Sequence, residues 1–419
     1  MHRIRGALHD TFRSLGIRNF RLFFGGQLVS QVGNWLTLVA QVLLVLHLTD
    51  NNGVAVGVLT ACQFLPVLVL GAWAGLVADR VDKRRLLIAT QTYAMVQSFA
   101  LAALAFMPHP PLVAIFVVAM LGGIGNAFDN PVRRAFVVEM VPNDNVPNAV
   151  SLNSALMTSS RIFGPALAGL LIVTAGYGWC FTVDGISYLA VIVCLFLMRS
   201  SELHRSTPVM RAKGQVRAGL HYIRSIPDLF IPLVMMALIG TFAFNFNVVI
   251  PLFVVKTLDG STTMFTVLFS VLSVGSLIGA LVSAHRSKVT IRSVAIGALL
   301  FGISMFALAL APSLGWAFPI GLLVGFSSIV FMTASTAIVQ VRAAPEMRGR
   351  VLAVQAIVFL GSTPIGGPIL GVICQTLGPP TGLAVGATSC LAAAFIGWRS
   401  SRRSEDTSAE SNLARAFTG

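Results

Sequence analysis

Charge is what this sequence has least of: only 11% of its 419 residues are Asp, Glu, Lys or Arg, against about a quarter in soluble globular domains. Together with 56% hydrophobic residues and a mean hydropathy of +0.83, that scarcity excludes a soluble single-core protein and points to an integral membrane chain. Cysteine is sparse. Cys62, Cys180, Cys194, Cys374 and Cys390 lie in or beside apolar runs, with no Cys-x-x-Cys and no nearby His, so neither a disulfide framework nor a metal site is expected. His47, His109 and His285 are not deep in an apolar run, which argues against an intramembrane enzyme. No Gly-x-x-x-x-Gly-Lys-Ser/Thr phosphate loop is present, so ATP is not a direct energy source by that route. No small-residue cleavage site follows the first apolar run from Phe20, which argues against a removed signal peptide. No cofactor is implied.

What is present is apolar sequence in blocks of spanning length. Windows near 20–48, 54–78, 86–107, 111–132, 147–174, 180–198, 228–255, 263–284, 292–311, 316–340, 349–376 and 381–398 give twelve transmembrane helices, each with the roughly 20 apolar residues a bilayer requires. With a cytoplasmic N-terminus, all but two of the 29 Lys and Arg fall on or at the cytoplasmic side, the exceptions being Lys256 outside and Arg161 inside a span. The positive-inside rule then puts both ends in the cytoplasm. The net charge of +14 is therefore explained by topology, and no nucleic-acid partner is expected. The predicted organisation is an N-terminal segment 1–19, a six-helix half 20–198, a cytoplasmic linker 199–227, a second six-helix half 228–398 and a tail 399–419. Lys213 to Arg224 in the linker is expected to form an amphipathic helix on the inner leaflet, and the polar tail is expected to be disordered.

The halves repeat. Gly71 and Gly75 return 204 residues later as Gly275 and Gly279, and Gly122, Pro142, Gly164 and Pro165 return 203 later as Gly325, Pro345, Gly367 and Pro368. A nearly constant offset across three spans marks an internal duplication. Parallel six-span repeats are the architecture of transporters whose halves rock about a midplane site.

The stretch GLVADRVDKRRLL, Gly75 to Leu87, resembles the motif between spans 2 and 3 of the major facilitator superfamily, with Gly75, Asp79, Arg80, Lys83, Arg84 and Arg85 fitting it. Asp82 stands where that family usually has Gly, and the second copy, from Gly279, carries Ser283 in place of the acid. IRNFRLFFGGQLVSQVGNWL from Ile17, SRIFGPALAG from Ser160 and PEMRGRV from Pro345 resemble the branch of macrolide and tetracycline-type efflux pumps and the enterobactin exporter. The resemblance implies a non-enzymatic secondary transporter in a bacterial inner membrane, of all-α major facilitator fold. Its function would be proton-coupled, alternating-access export of amphipathic small molecules, acting as a monomer. Siderophore or lysolipid movement, or nutrient import, are the alternatives. It further implies that Asp79 caps helix 11 near Arg348 to Val351 and pairs with a basic residue across the halves. Orientation alone would account for the basic residues of the motif, but not for that acid.

Ser151, Ser160, Gly164, Pro165, Ala168 and Gly169 keep span 5 narrow, which suits close helix packing; Gly367 and Pro368 repeat the feature. A charge at a helix centre costs about 2.5–3.5 kcal/mol on insertion scales, so buried charges are candidates for coupling. Arg161 is roughly 21 Å into span 5 by helical rise and should face the interior. Asp184 in span 6 is either its partner or an interfacial acid. Asp129 and Arg133 share a face late in span 4, where Pro131 is expected to break the run, and read as a solvated pair at the cytoplasmic mouth. Asn34, Asn126, Asn245 and Asn247 offer neutral hydrogen-bonding groups to a cavity on spans 1, 4 and 7. Exporters of the resembled branch often carry an acid near the position of Asn34.

Overall fold

The computed structural model describes residues 12–204, 215–284 and 289–418. It is all-helical apart from turns and short 3-10 segments, as expected where no water satisfies exposed backbone groups. The first six spans are α1 (Arg18–Leu48), α2 (Gly53–Arg80), α3 (Lys83–Ala105), α4 (Leu112–Glu139), α5 (Val146–Ala175) and α6 (Tyr177–Leu197). A short helix α7 (Gln215–Ser225) follows, then α8 (Pro227–Phe242), α9 (Phe246–Lys256), α10 (Thr262–Ala284), α11 (Ile291–Ala309), α12 (Leu314–Arg342), α13 (Pro345–Thr376) and α14 (Pro379–Thr418). Twelve spans are long and apolar enough to cross a membrane among the described residues, with α8 and α9 forming one of them.

The sequence explains the punctuation. Asn52 caps α2 by accepting from the Val54 and Ala55 amides at 2.8 and 3.3 Å. Asp82 caps α3 by accepting from the Arg85 amide at 3.0 Å, so the residue that departs from the family motif sets the start of a helix. Thr290 and Ser293 close a capping box at α11. Gly176 and Gly378 both have φ +89° and stand between α5 and α6 and between α13 and α14, where a side chain would be strained.

Two compact units emerge, Met1–Arg211 with Ser261–Ser270, and Ala212–Gly260 with Val271–Gly419. The first residues of α10 thus group with the N-terminal half, a boundary that composition does not reveal. In the first unit α1 packs on α5 and α6, α3 on α4 and α6, and α2 on α4. In the second, α8 packs on α13 and α14, and α11 on α12 and α14, while a Cβ at Gly279 would meet the Phe326 carbonyl of α12 at 2.5 Å. Each pairing repeats one in the first half, which is the duplication seen in space.

Three expectations need correction. Span 7 is not one helix: it stops at Phe242 and restarts at Phe246, where Asn245 Nδ2 donates to the Thr241 carbonyl at 2.7 Å in place of the interrupted ladder. Pro131 does not break α4, which continues to Glu139, since membrane helices tolerate Pro when neighbours cover the freed carbonyl. The tail continues α14 helically to Thr418, having a folded helix to extend. The linker helix forms at Gln215–Ser225, while residues 205–214 of that linker lie outside the described residues.

Candidate functional site: a polar cavity in the N-terminal half

Spans 1 to 3 bring an unusual number of amides into an apolar bundle. Gln27, Gln31 and Gln41 on α1 and Gln91 on α3 are all buried, and Gln63 on α2 donates to Gln41 Oε1 at 2.7 Å. Across from them α4 carries Asp129 and Arg133, only 6% and 7% exposed. One turn apart on the same helix face, they form an ion pair. Asp129 Oδ1 also accepts from Thr90 Oγ1 at 2.9 Å and Gln91 Nε2 at 2.7 Å. The Arg133 guanidinium donates to Gln27 Oε1 at 3.4 Å, and Gln31 Nε2 donates to the same oxygen at 3.0 Å. The expected solvated mouth pair is therefore a buried network across three helices, α1, α3 and α4. Each charge has a counter-charge and hydrogen bonds, the condition under which burying charge is tolerable.

These residues wall a cavity of about 80 Å³ lined by α1, α2, α3, α4 and α6, with Asn34, Thr37, Gln41, Asn126, Asp129 and Tyr188 among its walls. A single water needs about 10–15 Å³ by the same measure, so the space holds several. The glycines of α4 make the room: a Cβ at Gly122 would meet Gln97 at 2.8 Å, and one at Gly125 would meet Tyr93 at 2.8 Å. Four buried polar atoms in this cluster, Gln27 Nε2, Gln41 Nε2, Gln91 Oε1 and Arg133 Nε, have no hydrogen-bond partner among the described residues. Unpaired buried groups at this density call for water or a ligand.

Behind one wall sits Asp184, fully buried on α6. Its Oδ2 accepts from Thr37 Oγ1 at 2.6 Å and Ser98 Oγ at 2.8 Å. It is not an interfacial acid, and it is not paired with Arg161. The Arg161 side chain is half-buried midway along α5 and makes no ion pair among the described residues.

The motif after α2 has more structure than an orientation signal requires. Lys83 at the start of α3 is buried against Glu139 at the end of α4, Nζ to Oε1 2.6 Å. Arg84 donates to the Leu195 and Phe196 carbonyls of α6 at 2.8 and 3.2 Å and to Ser200 Oγ. Arg80 and Arg85 are exposed, and Gly75 is half-buried. The Asp79 side chain, and with it the proposed cap on helix 11, lies outside the described residues.

The small-residue stripe on α5 is buried at Ser160, Gly164, Pro165, Ala168 and Gly169. A Cβ at Gly164 would run into Trp35 of α1, and one at Gly169 into Thr266 at the start of α10. In the second half Gly367 is buried and Pro368 half-buried, but it is Gly366 whose Cβ would strike the Thr241 carbonyl at the break in span 7. Asn245 is buried there with Oδ1 unpaired, and Asn247 is half-buried. Among the described residues no group of three or more His, Cys, Asp or Glu could hold a metal.

A duplicated six-helix plan, twelve spans and a buried charged cavity define a multi-pass membrane transporter rather than an enzyme. The chain belongs to the major facilitator superfamily, within the family described as transmembrane secretion effectors, whose model matches residues 9–417. It is 25% identical to the staphyloferrin A transporter of Staphylococcus aureus, covering 85% of this chain and 90% of that one. It is 23% identical to macrolide efflux protein A of Streptococcus pyogenes (83% and 87%) and 25% identical to the multidrug efflux pump Tap of Mycolicibacterium fortuitum (84% and 88%). A solved inward-facing, occupied bacterial homologue of the human lysosomal transporter Spinster superposes with TM-score 0.72 at 15% identity, covering 93% and 97%. These relatives make it a bacterial membrane protein.

Proposed function

We propose that the chain is a proton-coupled exporter of amphipathic small molecules, working as a monomer by alternating access in the inner membrane with both termini cytoplasmic. The observation that carries this reading is the buried Asp129–Arg133 pair beside a polar-lined cavity in an otherwise apolar bundle. Charges that cost this much to insert are retained for relay or binding. The macrolide and multidrug efflux relatives support an amphipathic cargo. In this reading Asp79, with the basic residues of its motif, holds the cytoplasmic side shut, and Asn34, Asn126, Asn245 and Asn247 contribute hydrogen bonds to cargo. Arg161, half-buried and without an ion partner among the described residues, joins Asp129 and Arg133 in coupling.

A siderophore is the second cargo reading, favoured by the staphyloferrin A transporter relative. The test is accumulation of ethidium, a macrolide and a ferric siderophore in cells with and without the chain, before and after an uncoupler. Lower ethidium or macrolide content that the uncoupler restores supports the proposal. Content that does not depend on the chain, or chain-dependent loss that survives the uncoupler, refutes it.

A further inference from the structure

Asp129 and Asp184 are both buried carboxylates, but their surroundings differ in kind. Asp129 is clamped by a guanidinium. Asp184 is 0% exposed and its side-chain partners among the described residues are hydroxyls: Thr37 of α1, Ser98 of α3 and Ser187 of its own helix, the last at 3.4 Å. No ion pair to it exists among the described residues. Among the described residues, α1 offers it Gly33 and Thr37 and α3 offers Ser98, none of them charged. The titratable groups nearest in sequence on α6 are Cys180 and Tyr188, one turn to either side and both buried; Tyr188 lies within electrostatic reach of Asp184, Asp129 and Arg133.

We propose that Asp184 takes up and releases the coupled proton, receiving it from the cavity through the hydroxyl of Thr37. This rests on the proton-coupled reading above. A hydroxyl is the neutral side-chain group that turns from donor to acceptor by rotation, so one ring serves both charge states. The ionised carboxylate accepts from Thr37 and Ser98, and the neutral acid donates its new O–H to one of them. A buried charge lacking a cation is costly, whereas one facing a fixed guanidinium is held in its ionised form. Asp184 is therefore the acid built to change state.

Thr37 supplies the access. Its side chain donates to Asp184 and it also lines the cavity. A cavity hydronium gives a proton to Thr37 Oγ1 while the proton already there passes to Asp184 Oδ2. One O–H bond forms on the hydroxyl and one breaks, and the carboxylate goes from −1 to neutral. The change is felt at α1 because that helix is seated on the carboxylate: a Cβ at Gly33 would stand 2.6 Å from Asp184 Oδ1, and the next residue, Asn34, lines the cavity.

The test uses infrared difference spectra of the full chain in lipid vesicles titrated from alkaline to acid pH. The expected result is a protonated-carboxyl C=O band that is lost in Asp184→Asn, kept in Asp129→Asn, and shifted in frequency by Thr37→Val or Ser98→Ala. A band that persists in Asp184→Asn overturns the proposal. If that variant does not fold, unshifted bands in both hydroxyl variants overturn it. In vesicles with ethidium as probe, Asp184→Asn should lose accumulation driven by a pH gradient while keeping downhill movement. Gradient-driven accumulation at the wild-type level in Asp184→Asn removes Asp184 alone. Wild-type ethidium movement that ignores the gradient refutes proton coupling itself, and the role of Asp184 with it.

Discussion

The pair Lys83–Glu139 gives the sharpest separation between an orientation signal and a structural bond. The two side chains are 9% and 6% exposed and meet at 2.6 Å, joining the start of α3 to the end of α4. Removing one partner of a buried pair costs about 3–5 kcal/mol, chiefly because the other charge is left uncompensated. Lys83 keeps an interaction besides its bond to Glu139, and at a helix start its stem lets the ammonium reach for water, so the lower figure of about 3 kcal/mol applies to Glu139→Gln. For a unit of this size each kcal/mol lowers the melting midpoint by about 2–4 °C, giving a fall of about 6–12 °C. The assay is thermal unfolding in detergent, read by a thiol-reactive dye on the native cysteines, for Glu139→Gln, Lys83→Met and the double variant. The double variant should be more stable than the sum of the singles implies, with a coupling of at least about 1.5 kcal/mol. Membrane orientation should not change, because Arg80, Arg84 and Arg85 remain. Single variants within about 1 °C of wild type, or strictly additive losses, would refute the argument and return Lys83 to the positive-inside count.

Cysteines placed at Asp50, His109, Asp259 and Gly315 should label with a membrane-impermeant maleimide in intact cells, and one at Arg85 only after permeabilisation; surface labelling at Arg85 would invert the orientation. Arg161→Ala should insert normally yet lose ethidium efflux, while efflux at the wild-type rate and normal abundance would reduce Arg161 to packing. Asp79→Asn should shift the open-to-cytoplasm population by about fivefold, or roughly 1 kcal/mol. Accessibility of a cysteine at the exposed Asn130 in inverted vesicles reads that shift, and equal labelling would remove the gate role. Gly176→Ala puts a side chain where φ is +89° and should cost about 1–3 kcal/mol of stability; an unchanged melting midpoint would show that the turn relaxes freely.

The spans and their duplication were legible because both are local signals: an apolar window is read residue by residue, and Gly and Pro survive duplication as fixed marks. The site was legible only in outline. Asp129 and Arg133 were visible as a pair, but Pro131 between them suggested a frayed end, when packing in fact carries α4 through it. Asp184 looked interfacial because depth was counted from the apolar run rather than from the bundle. Its partners lie 147 and 86 residues away in the chain, and no spacing rule reaches that far. Lys83 was hidden differently: the positive-inside rule already explained it, so nothing asked for a partner. One readable trace did exist, the glutamines Gln27 and Gln31 four apart inside an apolar span, where two amides on one helix face have no use in lipid.

The matched helix pairings of the two halves carry an evolutionary consequence. The pairings depend on glycines meeting backbone, as Gly279 does with Phe326, and both copies retain that grammar. The charged cavity belongs to the first copy, while the second bonds its spans through hydroxyls such as Ser304 with Ser327. Duplication thus left one copy without the buried charged network while keeping its helix pairings. Ser283, standing where the first copy has an acid, is what such divergence leaves behind: a half that can change its side chains without disturbing the charged network of the other.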